Sequence, residues 1–169
     1  MLSVLQSLRN LHPNNFVSQM ENNINIKNRK ASFEYLFLEN YNAGIMLQGT
    51  EIKSIRAGKA SIGEGYCLFI NEELWIRNIH IDEYKQGSYN NHEPKRDRKL
   101  LLNKNELRRL FDKVKDKGLT IIPIRLFINK DGFAKLEIAL AKGKKLYDKR
   151  ASLKEKDAKK EIEKSMKRH

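Results

Sequence analysis

The sequence predicts a β-rich α+β fold with flanking helices and a basic C-terminal tail. Three observations predict it. Short runs of β-branched and aromatic residues alternate with Asn-, Asp- and Gly-bearing turns between positions 33 and 141. One segment, 104–117, carries an apolar stripe at helical spacing. Beyond 141 the apolar residues thin out, and 142–169 hold twelve Lys or Arg against five Asp or Glu, a net of +7. That is over half of the +13 carried by the 169-residue chain, so a polyanionic partner is expected. A chain of this length suits one core with appendages. We divide it into an N-terminal extension (1–22), a folded domain (23–141) and a tail (142–169).

Residues 1–22 contain one Arg and one Glu, with Leu2, Leu5, Leu8 and Leu11 spaced for a weak amphipathic helix before Pro13. They lack the basic start, unbroken apolar core and small-residue cleavage site of a signal peptide. The extension is expected to be disordered and dispensable. From 33 to 39 a first strand is predicted, ended by Asn40 and Asn42, and Gly44-Ile45-Met46-Leu47 reads as a second, closed by Gly49. From Thr50 the period changes. Ile52 and Ile55 lie three apart with Lys53, Arg56 and Lys59 around them, so one short helix buries the isoleucines and turns the cations outward.

Runs 66–70 and 73–76 form a hairpin about Asn71-Glu72, although the pair lacks the preferred Gly. The second arm is predicted to continue to 81, with Trp75 in the core. Residues 85–98, broken by Gly87, Asn90, Asn91 and Pro94, read as a long exposed loop. The helix over 104–117 starts at Asn103 with Glu106 three positions on, presents Leu107, Leu110, Phe111 and Val114 on one face, and stops at Gly118. Two strands follow, 119–128 interrupted by Pro123, and 133–141, joined by Asn129-Lys130-Asp131-Gly132. In the tail, Ser152 and Glu155 make a capping box, and Glu155 with Lys159 and Glu163 with Lys167 are favourable pairs. The apolar stripe of Ala151, Leu153, Ala158, Ile162 and Met166 is thin. The tail is therefore expected to be largely disordered alone and helical on a charged partner.

Catalytic signals are absent. Gly58-Lys59-Ala60 lacks the hydroxyl and preceding glycine of a phosphate-binding loop. His12, His80, His92 and His169 are scattered, and the lone Cys67 in an apolar run is a packed thiol, so neither a metal nor a cofactor is expected. No apolar run reaches the roughly 18–20 residues of a membrane span.

Signals for RNA are stronger. Lys142, Lys144, Lys145, Lys149 and Arg150 place five cations in nine residues around Gly143 and Tyr147, phosphate contacts beside a ring that can stack on a base. We read this stretch as a hinge between two RNA contacts. Asn91, His92, Arg96, Arg98 and Lys99, on or beside the long loop, can hold folded RNA by phosphate, sugar and base edge. Glu51 among cations either pairs with Lys53 or Arg56 or accepts from a base or a 2′-hydroxyl. A generic basic RNA-binding or ribosomal protein is the alternative on these grounds.

Gly49-Thr50-Glu51-Ile52-Lys53-Ser54-Ile55-Arg56-Ala57-Gly58-Lys59-Ala60 and the 140–150 stretch closely resemble the small protein B family, the bacterial tmRNA-binding (SsrA-binding) proteins of trans-translation. Asn28-Arg29-Lys30-Ala31, Trp75 to Gly87 and Arg98-Lys99-Leu100-Leu101-Leu102 match too. The resemblance covers residue 28 to the C-terminus and implies an OB-like small β-barrel. It also implies a monomeric, cytoplasmic, non-enzymatic adaptor that binds the tRNA-like domain of tmRNA and takes it to stalled ribosomes. Carried onto matching positions, Glu51, Lys53, Ser54, Arg56 and Lys59, with the loop residues, face tmRNA. Tyr147 falls where the family has a ring thought to stack in the decoding centre. Asp148, Lys149 and Arg150 match the tail triplet, and later residues match a helix along the empty mRNA channel. Met20 opens a chain of ordinary family length. Ala158 stands where many members have Trp, Glu83 where Pro is common, and Ala139 where Gly is frequent.

Overall fold

A long strand that bends through a bulge and pairs on both edges organises the domain. The computed structural model describes residues 24–87, 91–116 and 118–166; the 1–22 extension lies outside them. In order the elements are β1 (Asn25–Lys27), α1 (Ala31–Glu34), β2 (Tyr35–Ile45), α2 (Gly49–Arg56), β3 (Ala60–Ser61), β4 (Tyr66–Ile70) and β5 (Glu73–Arg77). They continue with β6 (His80–Ile81), β7 (Arg98–Leu101), α3 (Lys104–Val114), β8 (Leu119–Ile128), β9 (Ala134–Gly143) and α4 (Leu146–Met166).

Strand order is β1-β8-β4-β5-β7-β2-β9, and β8 also pairs with β9, so β8-β4-β5-β7-β2-β9 closes into a ring of antiparallel pairs. The closed barrel is the architecture implied by the resemblance. One edge of β8 takes β9, while the other is shared between β4, at Ile121, and β1, at residues 125–127. Pro123, which cannot donate to a ladder, sits at a register shift between β8 and β9. There its carbonyl accepts Asn28 Nδ2 at 3.1 Å, and Asn28 Oδ1 accepts the amides of Lys30 and Ala31. The Asn28 to Ala31 motif thus caps the short α1 turn and ties it to the sheet.

The barrel interior is filled by Ile55, Leu74, Ile76, Leu126, Leu136 and Ile138, all without solvent exposure. Burying side chains of this size contributes about 1.5–3 kcal/mol each. Capping-box bonds start α3 as predicted, and Leu110 is its buried anchor.

Four local predictions are corrected. The two strands predicted over 33–39 and 44–47 are replaced by one, β2, with Phe33 and Glu34 in α1, because pairing with β9 from Tyr35 to Gly44 carries the chain through Asn40 and Asn42, whose side chains point out. The β5 arm stops at Arg77: Asn78 takes φ 57°, and β6 pairs instead with β3 in a separate two-stranded sheet. That left-handed residue also shifts the inward parity, from Leu74 and Ile76 before it to Ile79 and Ile81 after it. Trp75 consequently lies on the outer face of β5, half-buried. Lastly, the 85–98 loop is anchored inward, with His92 and Arg98 buried.

In the tail, Leu146–Met166 form one helix, α4, which starts six residues before the Ser152 box. Asp148 explains the early start: its carboxylate accepts the Lys145 amide at 3.2 Å, the second half of a capping box, with an anion in the first turn. The described side chains beyond Ser152 are exposed, so little tertiary packing holds the helix. The Glu155–Lys159 and Glu163–Lys167 pairs involve side chains outside those described.

Candidate nucleic-acid interface

Two cationic surfaces leave the barrel at different places. The first is α2, which connects β2 to β3. Gln48 and Glu51 form its capping box, and Ile55 is driven inward, leaving Lys53 and Arg56 exposed. Lys53 Nζ stands 5.1 Å from the Tyr84 ring centroid, and Arg56 Nη2 donates to Gly132 O at 3.2 Å. Lys59 is half-buried next to them in sequence, with its carbonyl accepting the Asp82 amide. Ser54 is buried, and its Oγ has no hydrogen-bond partner among the described residues.

Beneath that face lies a buried charge cluster. Glu51 Oε1 accepts Arg96 Nε at 2.9 Å and Arg98 Nε at 2.8 Å, while Oε2 accepts Arg96 Nη2 and the Gln48 amide. Arg98 also donates to the carbonyls of Ile79, Pro94 and Arg96. Burial alone would raise the Glu51 carboxyl, but bonds from Arg96, Gln48 and Arg98 outweigh it and hold the group below the ordinary carboxylate value. Burial pushes the Arg98 guanidinium down against the opposing pull of Glu51.

The loop residues are fixed by the same region. His92 bonds Thr50 Oγ1 at 2.9 Å and Ile81 O at 3.1 Å through its two ring nitrogens. Asn91 bonds both backbone groups of Tyr84. Of the expected RNA contacts, then, Glu51, His92 and Arg98 are interior groups that shape the surface. Asn91 and Arg96 are half-buried in the same scaffold. The Glu51 partners are Arg96 and Arg98, not Lys53 or Arg56. Lys99 is half-buried and pairs with Glu73 across neighbouring strands. The exposed cations of the motif are Lys53 and Arg56.

The second surface follows β9. Lys142 remains in the ladder opposite Leu36 and Leu119, so the expected hinge shortens to Lys144-Lys145. Lys144 is held: its amide donates to Glu34 O, and its Nζ donates to Ser32 O and Ser152 Oγ, both at 3.0 Å. Lys142, Lys145 and Arg150 are exposed, Lys149 and Asp148 partly so, and Tyr147 keeps 67% of its surface in solvent.

An exposed aromatic outside both expected sets, Phe133, tops the turn between β8 and β9 with 67% exposure. In the sequence it reads only as the first residue of a strand. Among the described residues no three His, Cys, Asp or Glu side chains come together as a metal cluster. No described helix is long and apolar enough to cross a membrane.

Comparison with known proteins completes the picture. The family model described as SmpB protein matches residues 25–168. An SsrA-binding protein of Cytophaga hutchinsonii is 65% identical over 141 residues, 83% of this chain and 92% of that protein. One from Phocaeicola vulgatus is 62% identical over 145 residues, 86% and 97% of the two chains. A solved structure described as "tmRNA-SmpB: a journey to the center of the bacterial ribosome" superposes with a TM-score of 0.62. It is 48% identical and covers 73% of this chain and 86% of that one.

Proposed function

We propose, for a chain that belongs to the SmpB protein family, that it is an RNA-binding adaptor of trans-translation. It binds the tRNA-like domain of tmRNA and delivers it to stalled ribosomes. The observation that carries this reading is the separation of two cationic surfaces, a rigid one on α2 backed by the Glu51–Arg96–Arg98 cluster and an extended one on α4. A preshaped basic surface suits a folded RNA. A lightly packed basic helix suits a channel that must be vacant before the helix can enter. Lys53, Arg56 and Lys59 meet tmRNA phosphates, with Lys99 at the margin. Ser54, Glu51, Asn91, His92, Arg96 and Arg98 set the surface they stand on. Lys142, Lys144, Lys145, Tyr147, Asp148, Lys149 and Arg150 form the ribosome-facing segment, Tyr147 as its stacking ring. The protein acts as a cytoplasmic monomer without catalysis of its own.

Cutting the chain after Lys145, which keeps the β9 pairing and the Lys144 bonds to Ser32 and Glu34, tests the division between the 23–141 domain and the 142–169 tail. The truncated protein should bind tmRNA within about threefold of the full chain and lose peptide tagging on stalled ribosomes. Equal loss of both activities would favour a generic basic RNA-binding module.

A further inference from the structure

Phe133 is exposed, and its backbone is pinned. Its amide donates to Asn129 Oδ1 at 2.8 Å, and its carbonyl accepts the Asn129 amide at 2.9 Å. The Gly132 amide donates to Asn129 O at 3.0 Å, and Gly132 O accepts from Arg56 on α2 at 3.2 Å. The turn is therefore pinned to the helix that presents the basic motif. Between them lies a groove of about 450 Å³, within the roughly 300–1,000 Å³ span of ligand sites. Leu47, Ile52 and Leu101 supply apolar lining, Arg56 and Lys135 supply charge, and Asp131, the acid in the lining, accepts from Asn129 Nδ2 at 2.9 Å.

A large ring kept in water by a rigid turn gains nothing for folding. Beside cations it matches one ligand chemistry, a flat base attached to a phosphate. A protein partner would also cover an apolar groove, but the cations Arg56, Lys135 and exposed Lys130 favour a polyanion. We propose that Phe133 is a stacking platform for an unpaired base of the structured RNA bound by α2, with Arg56 and Lys135 meeting the adjoining phosphate. The inference rests on the tmRNA-binding reading above and adds to it a base-contacting residue.

The test measures affinity of the full chain for a transcribed tRNA-like domain of tmRNA at two or more salt concentrations. Phe133→Ala and Phe133→Leu should each weaken binding by about 5- to 100-fold with the salt slope unchanged, since stacking is lost and no phosphate contact is. Phe133→Trp should bind within about twofold of wild type, and its added indole fluorescence should be quenched on binding, beyond any change from Trp75 in the parent. Leu binding as well as Phe would overturn the stack. So would an unquenched indole, or an Ala variant that keeps RNA affinity and loses a protein contact instead. If the wild-type chain itself fails to bind this RNA, the failure belongs to the underlying reading, whereas tight wild-type binding indifferent to Phe133 removes only the platform.

Discussion

Glu51 and Arg98, 47 positions apart in the chain, meet with 2.8 Å between Oε1 and Nε, and neither side chain is exposed to solvent. With Arg96 sharing the same carboxylate, the pair couples α2 to the start of β7. Removing one partner of such a pair leaves a charge buried without compensation. Glu51→Gln should therefore lower unfolding stability by about 3–5 kcal/mol, read by urea denaturation. A loss below about 1 kcal/mol would mean that Arg98 finds other partners. Reversing the charge of Arg98 should likewise unfold the domain, so a salt-dependence test belongs on exposed cations.

Acid sensitivity follows from the same carboxyl. Its folded-state value lies below the ordinary 4.5, so its contribution is fully present above about pH 4.5 and is lost as pH falls through the lowered value. Denaturation midpoints measured between pH 7 and pH 3 should fall at the acid end for the wild type. The Glu51→Gln variant should show a shallower fall.

Lys53→Ala and Arg56→Ala should each reduce the slope of log affinity against log salt for tmRNA by about 0.7–0.9. An unchanged slope in both variants would show that α2 faces away from the RNA.

Lys144 ties the first turns of α4 to Ser32 in α1. Lys144→Met removes both side-chain bonds while keeping the stem. Spin labels on the barrel and near Ile162 should then show a broader distance distribution than in the wild type. An equally narrow distribution would place control of the helix direction elsewhere.

Asn71 and Glu72 adopt φ 49° and 62°, both in the left-handed region at the β4–β5 turn. Asn adopts that conformation at a lower cost than Glu. Glu72→Gly should raise stability by about 0.5–1 kcal/mol, seen as a higher midpoint in thermal melting.

Features fixed by neighbours in the chain were legible in the sequence. Asn103 and Glu106 announced α3, and Asn71-Glu72 announced the hairpin. Ile52 and Ile55 announced α2. What escaped depended on partners far along the chain. Arg98 and His92 sit in a stretch whose polar composition reads as solvent-exposed, and their burial follows from Glu51, Thr50 and Ile81. Asn40 and Asn42 read as strand breakers until β9 pairs with them. Phe133 gave no signal, since an aromatic after a turn is also how a buried strand begins.

The tail helix grows from a strand clamped on both sides almost to its last residue, with only Lys144 and Lys145 between them. Its 21 residues make a rod of about 30 Å. The rod carries its tip that far from its root at Leu146, and the bonds of Lys144 to Ser32 and Ser152 set the direction in which it leaves the barrel.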